Sequence, residues 1–499
     1  MTRLLLTTLI CLTALAADLY AQITPRVLPA RVEDAIRIGT SSPLGTARFA
    51  GTGGSMTSIG VDYTTLHTNP AGIGWNRFSS AQITPGFTTS NIDTQLRGNA
   101  GNAIGGESKG AFVVPSLGLI WAGDTRSINF STFNWGVGLT RLADFNETIS
   151  FDGTSEGGII DAIVEDFNDL VGDPFRADLI DQIPNAIQED QSGFFSDFDL
   201  DSSQGGQIDR RGTVTRTGGM NEFAVGAGGN YKEKLLWGIT LGIPFINFTE
   251  TKVYDEIDTR DEITFFDDAG YDETLEMNGS GVNFKFGLIL RPTDNLRFSG
   301  AVHTPTFWTI DETFFTTLEY NFTDNGTAQG GTSPSERSES VFNLRTPWKF
   351  MLGAGALIGR SGFISIDADY QNYAGSSFST EDFATLDEFA NNDVDATLGG
   401  ALGLRLGGEL NLKPFQFRAG VGYRQLPTID TRYEEDTALL NYSAGAGWSA
   451  GKFFIDAAVR YQASSSYYAA YRTFAFDGNI VDTDRTRLTA LLTVGVRGF

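Results

Sequence analysis

The chain has 499 residues, a formal net charge of −25, 59 glycines and a single cysteine; 41% of it is hydrophobic and 12% aromatic. No apolar run reaches the ~18 residues that a spanning helix needs, and so acidic a chain lacks the basic face that nucleic-acid binding requires. Abundant glycine and aromatic residues at modest hydrophobicity suit a sheet with one greasy face and one wet face.

Met1–Ala21 reads as a secretory signal peptide. Arg3 gives the charged start, Leu4–Ala16 the apolar core, and Leu19-Tyr20-Ala21 the cleavage site before Gln22; cleavage after Ala16 is the alternative. Cys11 lies inside this segment, and Ile10 before it is too bulky for lipoprotein processing. The mature chain is therefore expected to have no thiol and no disulfide. Residues 22–77 are broken by glycines and by Asn69-Pro70, and are too polar to sit in lipid. A plug folded inside a barrel mouth fits them best; a free linker is the alternative.

Barrel strands are expected over 78–499. The clearest stretch is Asn221–Asn247. Phe223, Val225, Ala227 and Tyr231 share one parity, with Glu222, Ala224, Gly226 and Asn230 on the other. Beyond the charged turn 232–234, Leu235, Trp237, Ile239, Leu241, Ile243 and Phe245 face one way and Gly238, Thr240 and Gly242 the other. Successive strand residues point to opposite faces, so this is a hairpin with one oily side. The pattern recurs to the C-terminus with no second hydrophobic layer to cover it. The fold class is therefore an all-β transmembrane antiparallel barrel of about fourteen strands; a soluble β-sandwich or β-helix is the alternative. The expected strands lie near 78–88, 112–122, 127–142, 218–232, 234–248, 277–291, 295–304, 341–359, 362–374, 395–410, 414–425, 438–450, 453–463 and 485–499. Short turns alternate with long loops at 89–111, 143–217, 249–276, 305–340, 375–394, 426–437 and 464–484. Outer-membrane barrels keep short turns in the periplasm and long loops outside, which places both termini in the periplasm. Trp121, Trp237, Trp348, Trp448 and Tyr423 are candidates for the aromatic girdles.

Loop 143–217 shows helical spacing over Gly158–Val171 and Pro174–Gln188, predicting two amphipathic helices outside the barrel. Their apolar faces either pack on the rim or form an extracellular capture surface; Ile160, Val164, Phe167, Leu179 and Ile183 are its candidates. Asp197–Asp201 invites a calcium reading but fails as an EF-hand, with Ser202 where Gly is needed and Ile208 where Glu is needed. The strand ending at Phe499 breaks its own parity at Gly498, which suggests a bulge.

No catalytic or metal site can be assembled. Only His67 and His303 exist, and no Gly-x-Ser-x-Gly elbow or P-loop occurs. No cofactor is expected. His303 reads as a rim residue. The lumen parity carries Lys285, Arg297, Lys349, Arg405, Arg418, Arg424 and Arg460. These either pair with acids such as Asp367, Asp369, Asp456 and Asp62, or hold the anionic group of an amphipathic ligand. Lys285, Arg297, His303, Lys349 and Arg418 are the candidate ligand contacts.

Several motifs, in order, resemble a known family. They are Ala47-Arg48-Phe49-Ala50-Gly51-Thr52-Gly53-Gly54, then Asp62, then the plug motif Asn69-Pro70-Ala71-Gly72. Leu290–Leu296, His303–Thr306, Arg345–Pro347, Asp367–Tyr370 and Phe417–Gly420 follow. Together they resemble the FadL/TodX-type outer-membrane transport proteins, most nearly Bacteroidetes-type members. The resemblance implies an N-terminal hatch, fourteen strands and passive uptake of small hydrophobic or amphipathic molecules, such as long-chain fatty acids or aromatic hydrocarbons. It also implies capture by loop helices and release by a plug shift or a gap in the wall. Outer-membrane lipid and lipopolysaccharide are then the surroundings. The alternative is an accessory barrel in an outer-membrane protein secretion or assembly complex.

Overall fold

The computed structural model describes residues 28–498, apart from 126–128, 169–178, 191–192, 196–205, 336, 381–383, 430–437 and 472–478. The signal segment, the acidic run 197–201 and Phe499 lie outside the described residues, as do 174–178 of the second loop helix; of the rest of that expected helix only 179–181 is helical, and 182–187 runs as turns and bends into a short strand, Gln188–Asp190.

Fourteen antiparallel strands, each paired with its sequence neighbour, close into one barrel. They are β1 (Ser80–Leu96), β2 (Gly105–Asp124), β3 (Phe130–Asp144, continued by Glu147–Glu156), β4 (Gln207–Tyr231), β5 (Leu235–Ile257) and β6 (Phe266–Leu290). Next come β7 (Leu296–His303, continued by Phe307–Asp324), β8 (Thr327–Pro334, Ser338–Arg345 and Lys349–Leu357) and β9 (Gly362–Asn372, then Ser377–Ser379). The last five are β10 (Gly400–Leu412), β11 (Phe415–Arg424), β12 (Leu439–Ala450), β13 (Phe453–Ala469) and β14 (Ile480–Arg497). β14 pairs with β1 from Ser80↔Arg497 to Leu96↔Val481, which closes the sheet on itself. No described helix is long and apolar enough to cross a membrane.

Each expected strand is present, and the oily parity faces outward. On β6, Phe284 and Phe286 are 58% and 48% exposed, whereas Lys285 between them is buried. The girdle candidates Trp121, Trp348, Trp448 and Tyr423 are also exposed on the outside.

The strands are longer than the sequence pattern shows. Crossing the bilayer takes about 9–11 tilted residues, yet β4 and β6 have 25 each. Much of the supposed loops 249–276, 305–340 and 464–484 is therefore strand, and 375–394 carries a helix, Ala384–Thr397. The physical reason is an inversion of polarity. On β5, the outward Ile239, Ile243 and Phe245 give way to Asn247, Thr249 and Thr251, while the inward positions pass from Gly238 and Thr240 to Ile246, Phe248 and Tyr254. At the turn end, lipid covers the outside and the lumen is polar. At the loop end, water covers the outside and the lumen holds the hydrophobic core. On β7 the inward parity itself shifts, from Arg297 and His303 to Trp308, Ile310 and Phe314, across Thr304-Pro305-Thr306.

Residues 28–76 fill the lumen. Helix α1 (Leu28–Gly39) lies in the loop-end half, with Val32, Ala35 and Ile38 packed against Phe248, Trp308 and Phe342. Helix α2 (Ala47–Gly51) and two 3-10 turns, Tyr63–His67 and Pro70–Trp75, form the compact plug below it. Polar side chains start each: Thr46, Asp62 and Asn69 accept from the backbone N–H groups of Phe49, Thr64 and Ala71.

Candidate functional site

The plug motif Asn69–Gly72 sits on a patch of glycines. Gly228, Gly238 and Gly287 are cross-strand neighbours on β4, β5 and β6. A Cβ at Gly238 would collide with the Pro70 backbone, and one at Gly287 with the Asn69 side chain. The absence of side chains thus lets the plug backbone touch the wall. Asn69 Nδ2 donates to the carbonyls of Thr57 (2.9 Å) and Leu288 (3.3 Å), tying plug to plug and plug to wall.

Beside this contact lies a buried polar cluster. Glu222 of β4 accepts from His67 Nδ1 of the plug at 2.7 Å, from Lys285 Nζ of β6 at 2.6 and 2.7 Å, and from Asn283 Nδ2 at 3.0 Å. Of the proposed ligand contacts, Lys285 is therefore occupied in holding the plug. Arg418 is likewise engaged, with Glu409 and Asp456 at 2.7 Å each, and plug residue Arg48 joins Glu409 at 2.8 Å. Arg297 donates to the Ile59 carbonyl at 2.5 Å and stacks over Trp75. His303 is not at the rim. Its strand resumes beyond Pro305, and its Nε2 lies 2.6 Å from the plug carbonyl of Thr68. Lys349 is held more loosely, by the Ser41 carbonyl at 3.3 Å and Asp369 at 3.9 Å. Among the expected acids, Asp369 and Asp456 do pair with cations. Asp62 and Asp367 instead serve plug hydroxyl and amide groups at Thr46, Thr64 and Thr57. Glu222, the centre of this wiring, was not singled out from sequence; its one signal was a carboxylate among small residues on the lumen parity.

The predicted loop helix exists as α3 (Ile159–Asn168), but it enters the barrel mouth rather than lying outside. Ile160, Leu179 and Ile183 are at most 4% exposed, Val164 is buried and Phe167 packs on the same cluster. They meet Ile92, Val214, Phe266 and Leu318 of the wall. The start of α3 is pinned by Glu256, which accepts from Ile159 N at 2.8 Å. Glu256 also accepts from Tyr254 and Tyr471 (2.6 and 2.8 Å) and pairs with fully buried Arg210. Burial, helped by the Glu256 charge and opposed by the Arg210 cation, leaves the Tyr254 hydroxyl well above its usual pKa, so it stays a donor.

Prolines on β5, β7 and β8 mark one level between the two halves. At Pro244 the β5–β6 ladder lapses between Gly242↔Asn283 and Phe245↔Ser280; Pro305 and Pro347 break β7 and β8. Threonines bridge the gap: Phe284 N donates to Thr304 Oγ1, Thr306 N to Thr346 Oγ1, and Asn283 Nδ2 to Thr306 Oγ1. Lys285 and Thr304 line both a lumenal cavity and an apolar groove on the outer wall, formed with Ile239, Phe284, Phe286 and Trp348.

Taken together, the chain has the architecture of a plugged outer-membrane β-barrel. No protein-family profile and no curated protein matches its sequence. Its structure matches that of a Pseudomonas aeruginosa FadL homologue, with TM-score 0.53 and 12% identity over 92% of this chain and 99% of that one. It matches the P. putida toluene transporter TodX equally widely, with TM-score 0.52 and 12% identity. A TodX deltaS2 mutant, a monoaromatic hydrocarbon channel, gives TM-score 0.51 at 13% identity, over 91% of this chain and 98% of that one. The fold is thus FadL/TodX-like.

Proposed function

We propose that the protein is an outer-membrane channel for passive uptake of small hydrophobic or amphipathic molecules. The observation that carries this reading is the inverted lumen: apolar side chains line the loop-end half, closed above by α3 and below by the plug. A water-filled porin needs a polar lumen throughout, whereas an oily ligand needs this arrangement. In this reading the short turns face the periplasm, and ligand enters past α3. It leaves when the plug shifts or the proline level of the wall parts toward the outer groove. That the two lumen contacts named above also border this groove supports the second exit. FadL-like and TodX-like channels supply the ligand classes to try. Purified protein in liposomes is to be titrated with radiolabelled laurate and toluene; saturable uptake of at least one is expected, and none with either ends the proposal.

A further inference from the structure

The cavity between the plug and strands β8–β13 carries more positive charge than its own acids neutralise. Lys349, Arg405 and Arg424 share a single carboxylate, Asp369, at 3.9, 2.6 and 3.5 Å. Arg460 of β13 lines the same cavity and is 8% exposed. Among the described residues it has no carboxylate and no hydrogen-bond acceptor; its Nε and the Arg405 Nε are buried donors with nothing to receive them. The plug contributes Phe49, Gly53 and Gly54 to the floor, and no acid. In a chain of net charge −25 this excess does not follow from composition.

Uncompensated buried cations are costly, so an arriving anion supplies what the fold omits. A single carboxylate balances one charge and leaves about two. A phosphoryl dianion balances two, and its oxygens match the planar donor forks of arginine. Phe49 and Met351 beside the cations offer an apolar wall for a tail. We infer that this cavity binds a phosphoryl dianion, free or as the head of an amphiphile, through Arg460 with Arg405 and Lys349. The inference deepens the uptake reading and rests on it.

The test is equilibrium binding of decyl phosphate, decanoate, decanol and inorganic phosphate to the whole protein in neutral detergent. At pH 8 decyl phosphate binds at least tenfold tighter than decanoate. That preference shrinks below about pH 6, where the dianion takes up one proton and becomes a monoanion. Arg460→Gln weakens decyl phosphate at least tenfold and decanol less than twofold, and Arg460→Lys restores part of the loss. Inorganic phosphate binding as tightly as the ester assigns the site to the free ion; tight binding of the ester alone assigns it to an amphiphile. If decanol and decanoate bind but decyl phosphate gains nothing, or if Arg460→Gln weakens all probes alike, this inference fails and the uptake reading stands. If no probe binds, both fail.

Discussion

Replacing Glu222 tests how the plug is held. Glu222→Leu leaves the Lys285 ammonium buried with only Asn283 Oδ1, 2.7 Å away, and strips His67 of its acceptor. Breaking a buried ion pair from one side costs about 3–5 kcal/mol. The part that belongs to the plug is the His67 contact, a hydrogen bond to a charged group worth about 1.5–3 kcal/mol. His67→Ala removes that part alone, which raises the undocked-plug population by about 10- to 150-fold. Glu222→Leu with Lys285→Met replaces the pair by apolar groups and should regain most of the loss. Urea unfolding in detergent measures the whole effect; single-channel recording measures the plug, with brief openings expected in His67→Ala and more in Glu222→Leu. If the double variant is no more stable than Glu222→Leu, or His67→Ala stays as closed as the parent, this account of the latch is wrong.

Three further substitutions probe the other parts of the structure. Gly238→Val drives a side chain into the Pro70 backbone; overpacking of about 1–3 kcal/mol should appear as faster protease cleavage near Asn69, with the barrel still intact. Phe284→Arg puts a charge on the lipid face and should cost about 2–4 kcal/mol in refolding into vesicles if it lies near the midplane. Unchanged folding there would place this surface out of the membrane. Ile163→Asp buries a carboxylate in the core under α3 and should loosen the mouth, raising the initial rate of ligand entry; a rate equal to the parent's would argue that α3 does not gate.

The strands of the membrane zone were legible because lipid imposes one rule along their whole length: oily side chains out, small or polar ones in. Ile239, Phe284 and Val459 obey it, and so their parity could be read without coordinates. The same rule hid the loop-end strands. Trp308, Ile310 and Phe314 are as apolar, but they point inward, and nothing in a single strand's alternation says which side is wet. The proline breaks compounded this by shifting the parity of β7. The lumen cations were legible as a set, since buried charge on a lipid-facing strand has only one tolerable side. Which of them are spoken for was not legible, because Lys285, Arg418 and Arg460 differ only in what the closed barrel brings opposite them. Sequence thus determined the barrel, its strand count and the place of the plug, for these follow from local alternation and local turn chemistry. Closure alone decided that Glu222 meets His67 across 155 positions of chain, and that Arg460 meets no acid among the described residues. Partners of that kind are set by geometry around a circle, and no residue carries that information by itself.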